Sequence, residues 1–247
     1  MAAIPGDGVN GMVIASWTVG TGGGAGTRVS HGEPLMSSAR DAAAQSAELH
    51  ALLLRHAARP DEPRTRALAG VMSSGATRPA AYAMPIARLG RDEQQALMAE
   101  CFPGLPMQWP EGPDHDDDEF GDLLALLRSH ATEPDRATDW LAHAIATACM
   151  GANHLWQDMG LPDRDALQAL MQRHFTSLKA LNAGNMRWKK FFYRELCVQA
   201  EVLVCKSPSC SVCVDQTECF GAEGGRSLLP DPVTMARVGI STNSPWP

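Results

Sequence analysis

Four of the chain's seven cysteines fall within fifteen residues, in the segment CKSPSCSVCVDQTECF at 205–220. Cys205, Cys210, Cys213 and Cys219 are spaced C-x4-C-x2-C-x5-C. Thiolate is a soft ligand that suits zinc, copper(I) and iron–sulfur clusters. Four thiolates on one short loop can surround a metal or a cluster with little further folding. Structural zinc sites usually join two C-x2-C knuckles, and here only Cys210 and Cys213 form one. The first three cysteines match the C-x4-C-x2-C run of plant-type ferredoxins, but the fourth follows too soon for that pattern. Spacing therefore favours a cluster over zinc and leaves zinc, or unligated redox thiols, open. Ser207, Pro208, Ser209 and Ser211 are small or turn-forming, which lets backbone amides approach cluster sulfurs.

Charge around the segment points the same way. Arg187, Lys189, Lys190, Arg194 and Lys206 lie just before and inside it, opposed only by Glu195 and Glu201. Cations stabilise an anionic thiolate cluster, and such a patch can also receive an oxyanion. For each basic residue taken singly, a solvated helix face is the better account. Three further candidates lie outside the motif. Cys197 shares a polar stripe with Lys190, Arg194 and Glu201 and is read either as an extra ligand or as a half-buried thiol. His154 and Asp158 are spaced i,i+4, so one helix could aim both at a metal, or they form an ordinary pair near a helix end. Cys149 falls on an apolar stripe and Cys101 at a helix end before Pro103; both read as structural.

The elements that must position these groups are helices. ARDAAAQSAELHALLLRHAA predicts a helix from near Ser38, where Ser38 and Asp41 have capping-box spacing, with Leu49, Leu52, Leu53 and His56 on one face and Pro60 and Pro63 closing it. Shorter helices are expected at about 64–72 and 91–102, then a Pro- and Gly-rich loop from Cys101 to Pro113. DDDEFGDLLALLRSHA carries acids at its start and Arg128 and His130 at its end, as the helix dipole favours. One long helix from about Asp135 to Met159 would place Leu141, Ile145, Cys149, Ala152 and Trp156 on a single stripe. Further helices are predicted at about 163–175 and from Arg187 to Val204, leading into the cysteines. No period-2 strand pattern and no repeat is present. The expected fold is mainly α, a single helical domain over 38–222 that ends in a four-cysteine metal-cluster loop at 187–222. A flexible Gly-rich segment (1–37) and a loose tail (223–247) flank it.

Composition limits the function classes. At 247 residues and 45% hydrophobic content the chain can build a core. A net charge of −7 gives no general attraction to nucleic acid or anionic membranes. No stretch approaches the roughly 20 apolar residues of a membrane helix. MAAIPGDGVNGMVIASW lacks a basic secretory n-region, so a reducing, cytoplasmic location is expected, where clustered thiols serve metals more often than disulfides. GTGGGAG lacks the G-K-[ST] ending of a phosphate loop. Seven acids between Glu111 and Asp122, without Lys or Arg, read as a solvated loop feeding a helix N-terminus. No catalytic triad, paired carboxylate or nucleotide site emerges.

RWKKFFYRELC, the cysteine motif and the CFG that ends it together resemble the NifQ family of nitrogen-fixation proteins. HLWQDMGL at 154–161, the DDDEFGDLLALL opening and His174-Phe175 also fit that family, and the likeness runs from about residue 39 to 222. The resemblance implies a non-enzymatic carrier of a molybdenum–iron–sulfur cluster that supplies molybdenum for the iron–molybdenum cofactor of nitrogenase. It implies cluster ligation by Cys205, Cys210, Cys213 and Cys219, with cofactor-assembly proteins (a scaffold and an iron–sulfur donor) as partners and molybdate as a metal source. An iron–sulfur electron carrier and a zinc-stapled interaction protein are the alternatives.

Overall fold

A computed structural model describes residues 34–77, 86–105, 118–201, 213 and 216–229. The Gly-rich start, most of the acidic loop, Cys205, Cys210 and the chain beyond Leu229 lie outside the described residues. Every regular element described is helical: α1 (Pro34–Arg55), α2 (Pro63–Ser73) with a 3-10 turn (Ser74–Thr77), α3 (Arg91–Cys101), α4 (Asp118–Ser129), α5 (Arg136–Cys149), α6 (Leu155–Asp158), α7 (Arg164–His174), α8 (Thr176–Leu181), α9 (Trp188–Gln199) and α10 (Gln216–Phe220). None of them is long and apolar enough to cross a membrane.

The mainly α expectation holds, with corrections at the boundaries. The first helix starts at Pro34, so Ser38 and Asp41 lie inside it and not at its start. Proline suits a first turn, where its missing N–H has no partner to lose. The buried face of α1 is Ser46, His50, Leu53 and Leu54; Leu49 packs only partly against the core, and His56 stands at the edge beyond the helix end. Pro63 opens α2 instead of closing what precedes it.

At the centre is α5, hydrophobic nearly all round, as a core helix must be. Trp140, Leu141, Ala142, Ala144, Ile145, Ala146 and Ala148 are buried. Asp135 caps the helix by accepting from the Thr138 N–H at 2.7 Å. The alanines let α2 and α4 pack close on either side. On the next layer, α2 meets the α6–α7 turn backbone to backbone. A Cβ on Gly70 would lie 2.1 Å from the Met159 carbonyl oxygen, and Gly160, at φ +63°, faces Gly70 in return. A side chain at either position would force the two segments apart.

The predicted single helix over 135–159 is two helices. α5 stops at Cys149 and α6 restarts at Leu155, so the apolar stripe ends at Cys149 and Ala152 is exposed. Asp158 explains the break. Its carboxylate accepts from the Asn153 N–H (3.1 Å) and the Asn153 side-chain amide (2.9 Å), which holds the connecting loop in a non-helical course. A Cβ on Gly151 would fall 2.4 Å from an Asp158 carboxylate oxygen, so only glycine fits there.

Candidate metal centre

α9 is the element that presents the cysteine segment. Trp188, Phe191 and Phe192, spaced i, i+3 and i+4, are buried, with ring centroids 5.5 to 6.0 Å apart. Such aromatic contacts combine large apolar burial with favourable edge geometry. They seat one face of α9 on the body and leave Lys190, Arg194 and Val198 outside. Tyr193 donates to the Glu119 carboxylate, joining α9 to α4. The helix ends at Gln199, before the predicted Val204, and Glu201 takes φ +55°.

The second half of the cysteine segment returns to the start of α9. The Cys213 carbonyl accepts from the Gln216 N–H at 3.2 Å and leads into the short α10. The Arg187 N–H donates to the Cys219 carbonyl at 2.7 Å. The Arg187 guanidinium reaches the Gly221 and Ala222 carbonyls, each at 3.4 Å, and stands 3.7 Å from the Glu218 carboxylate. A side chain at Gly221 would strike the Thr217 carbonyl at 2.4 Å, which explains the glycine of CFG. Cys219 and Phe220 pack partly on the core, so this end of the motif is seated.

The turn into α9 is itself pinned. Asn182, buried, donates to the Met186 carbonyl (2.9 Å) and accepts from the Met186 N–H (2.8 Å). Arg164 Nη2 donates to the carbonyls of Asn185 (2.7 Å) and Met186 (3.3 Å). Neither residue was singled out from the sequence. The only local hint was the Gly184-Asn185 turn pair, because a buried amide and a long arginine announce their partners only in three dimensions.

Cys213 and Cys219 are half-buried, and neither is in a disulfide. Cys205 and Cys210 lie outside the described residues. Cys197 stands about 15 Å along the α9 axis from Arg187 at 1.5 Å per residue; it is half-buried, and it and Cys219 sit at opposite ends of that helix. The other two cysteines are poor ligand candidates. Burial pushes the Cys149 thiol up to about 12 and the Cys101 thiol up to about 11, which disfavours the thiolate a soft metal requires. Among the described residues no group of three or more His, Cys, Asp and Glu could hold a metal.

His154 and Asp158 do not share a helix face turned to a metal. His154 is the N-cap of α6, and its backbone N–H donates to the Gln157 side chain at 3.2 Å. Asp158 is buried against Lys189, whose ammonium donates to it at 2.6 Å and to the Gly151 carbonyl at 2.8 Å. Lys189 therefore neutralises an internal carboxylate, and Arg187 holds backbone; of the basic run on α9, Lys190 and Arg194 are the exposed members. The described part of the acidic stretch opens α4, with Glu119 and Asp122 exposed or partly so. Beyond Cys219 the chain stays docked: Gln157 donates to the Arg226 carbonyl at 3.0 Å, and Leu229 is buried beside Gly160. Packing thus continues past residue 222, where a loose tail was expected to begin.

A family profile described as NifQ matches residues 67–221, well over half of the chain and including all four motif cysteines. Protein NifQ of Azotobacter vinelandii is 45% identical over 106 residues, covering 43% of this chain and 54% of that protein. Protein NifQ of Rhodobacter capsulatus is 40% identical over 123 residues (49% and 66%), and a NifQ homolog of Sinorhizobium fredii is 37% identical over 146 residues (58% and 64%). The matched stretch spans about half to two thirds of the length of these relatives. No solved structure matches. On the extent of the profile match, the chain belongs to the NifQ family of nitrogen-fixation proteins.

Proposed function

We propose that this chain is a carrier, not an enzyme, that holds a molybdenum–iron–sulfur cluster on Cys205, Cys210, Cys213 and Cys219 and donates molybdenum for the nitrogenase iron–molybdenum cofactor. The observation that carries this reading is the segment itself: four thiols in fifteen residues, inside a family match that extends to residue 221. The donor set fits the cargo. Sulfur ligands suit iron and molybdenum in clusters, and the two described motif cysteines are only half-buried and in no disulfide.

In this reading the residues of α9 have distinct tasks. Trp188, Phe191 and Phe192 fix the helix. Arg187 holds the carbonyls of Cys219, Gly221 and Ala222, and so sets one wall of the site. The exposed Lys190 and Arg194 offset thiolate charge and attract molybdate or an acidic face of an assembly partner. Motif cysteines that are only half-buried, as Cys213 and Cys219 are, suit handover to a scaffold or an exchange with an iron–sulfur donor. The setting is the cytoplasm, where thiols stay reduced.

The test is purification without oxygen, followed by an absorption spectrum and metal counting. Brown protein with both molybdenum and iron is expected, and Cys210→Ser is expected to lose both. Colourless protein with one zinc would end the reading. Iron without molybdenum, whatever the medium, would make the chain an electron carrier instead.

A further inference from the structure

A buried carboxylate needs a reason to be where it is. Glu223 follows Cys219 by four residues, and its side chain is 3% exposed. One oxygen lies 3.8 Å from Arg164 Nε and the other 3.8 Å from His154 Nδ1. Both separations are longer than a hydrogen bond, the Arg164 one being an ion-pair distance, and Arg164 Nε and Glu223 Oε2 have no hydrogen-bond partner. The same guanidinium uses Nη2 on the carbonyls of Asn185 and Met186. One arginine therefore touches both the turn that launches α9 and the carboxylate that follows α10.

We propose that Glu223 is a positioning residue, a latch that holds the strap 221–229 on α6 and α7 and thereby fixes where Cys219 stands. Three observations converge on it. First, α10 has five residues, too few to be stable as an isolated helix, so the place of Cys219 depends on what is attached to either end. Second, the attachments described on the other side of Cys219 are the Arg187 contacts, one backbone bond of 2.7 Å and two guanidinium bonds of 3.4 Å, together with partial packing of Cys219 and Phe220 on the core. Third, the strap is secured further on by Gln157 at the Arg226 carbonyl and by Leu229 in the core. Glu223 lies between these two anchorages. If it releases, the chain on its Cys219 side loses one of its holds and opens more often, while the Leu229 end stays down. An ion pair without a directional hydrogen bond suits such a joint, because it biases position and still permits opening.

The structural half of this proposal is independent of the cargo. The half that concerns metal retention rests on the reading of the four cysteines as cluster ligands. The experiment separates them. Amide hydrogen exchange is measured on the metal-free full chain as wild type and as Glu223→Gln. Exchange across 216–229 is expected to rise about tenfold, with α5 unchanged. Unchanged exchange there would overturn the latch. Should Glu223→Gln fail to fold because it strands Arg164, the double variant Glu223→Gln with Arg164→Gln is measured in its place, with the same expectation and the same overturning result. On loaded protein, the visible absorption is followed after addition of a chelator, and several-fold faster loss is expected in Glu223→Gln at an unchanged thermal midpoint. Raised exchange with an unchanged rate of loss would overturn the link to Cys219. Wild type that holds no metal would sink the cluster reading and leave the latch to be judged by exchange alone.

Discussion

Lys189→Met separates two roles for the basic residues of α9. The Lys189 ammonium lies 2.6 Å from Asp158, with side chains 18% and 7% exposed. It also donates to the Gly151 carbonyl at 2.8 Å. Removing one partner of a buried pair typically costs 3–5 kcal/mol, because the other charge is left uncompensated. Two features lower that here. Asp158 keeps both bonds from Asn153, and Lys189 is partly hydrated. About 2–3 kcal/mol is therefore expected, or about 5–10 °C in thermal midpoint for a domain of this size. Asp158→Asn should cost less, about 1–2 kcal/mol, since its amide oxygen still accepts. A double-mutant cycle by urea unfolding, followed by circular dichroism, should give a coupling of about 1.5–3 kcal/mol. Coupling below about 0.5 kcal/mol, the range of exposed pairs, would refute the burial argument. Loss of metal at an unchanged unfolding midpoint would refute the assignment of Lys189 to the fold and return it to the metal site.

Three other outcomes are expected. Phe191→Ala should destabilise by about 3–4 kcal/mol, because Phe191 is 1% exposed between Trp188 and Phe192; thermal unfolding checks this. Cys149→Ala and Cys197→Ser should keep full metal content by elemental analysis, whereas Cys219→Ser should lower it, since Cys149 is a core thiol and Cys197 lies at the far end of α9 from Cys219. Stability should fall as the medium is acidified below about pH 6.5, the usual histidine value. Burial holds His143 below that value, and burial together with Arg64 and Arg173 does the same for His174. The sign follows from linkage: both are neutral in the fold, the unfolded chain binds their protons first, and the stability present above pH 6.5 is lost toward the lower folded values. The geometry of His143 agrees, since Nδ1 faces the Ala87 carbonyl at 3.1 Å and Nε2 faces Arg128 at 3.2 Å, an arrangement that suits a neutral ring with its proton on Nδ1. The carboxylates of Asp135 and Asp139, held low by the Thr138 N–H and by Arg128, should contribute their own loss only at more acid pH. Urea midpoints at pH 7.5 and 5.5 measure the effect; equal midpoints would contradict it.

The helical class and most helix positions were legible because each depends on short-range pattern. α3, α4 and α7 fall where apolar periodicity and charged ends put them. The family was legible too, because the cysteine spacing and RWKKFFYRELC are contiguous strings. Two short helices, α8 and α10, were not. Six and five residues carry too little period to register, and α10 sits inside a segment whose small residues read as loop. The break between α5 and α6 was hidden because Gly151 and Asn153 are tolerated in helices. What decides against helix there is the carboxylate of Asp158, drawn into place by a lysine 31 residues away.

The same division runs through the site. Which residues can bind a soft metal is a matter of side-chain chemistry and local spacing, and both are present in the chain before it folds. Which of the nearby charges belong to that site depends on distance between remote segments, and only packing sets it. Lys189 and Asp158, two of the candidates for metal chemistry, neutralise each other in the interior, while Arg164, Asn182 and Glu223, none of them conspicuous in the sequence, hold the turn and the strap that place Cys219. A buried charge must find its partner wherever the fold brings one, so its role is written in the tertiary structure and not in its neighbours along the chain.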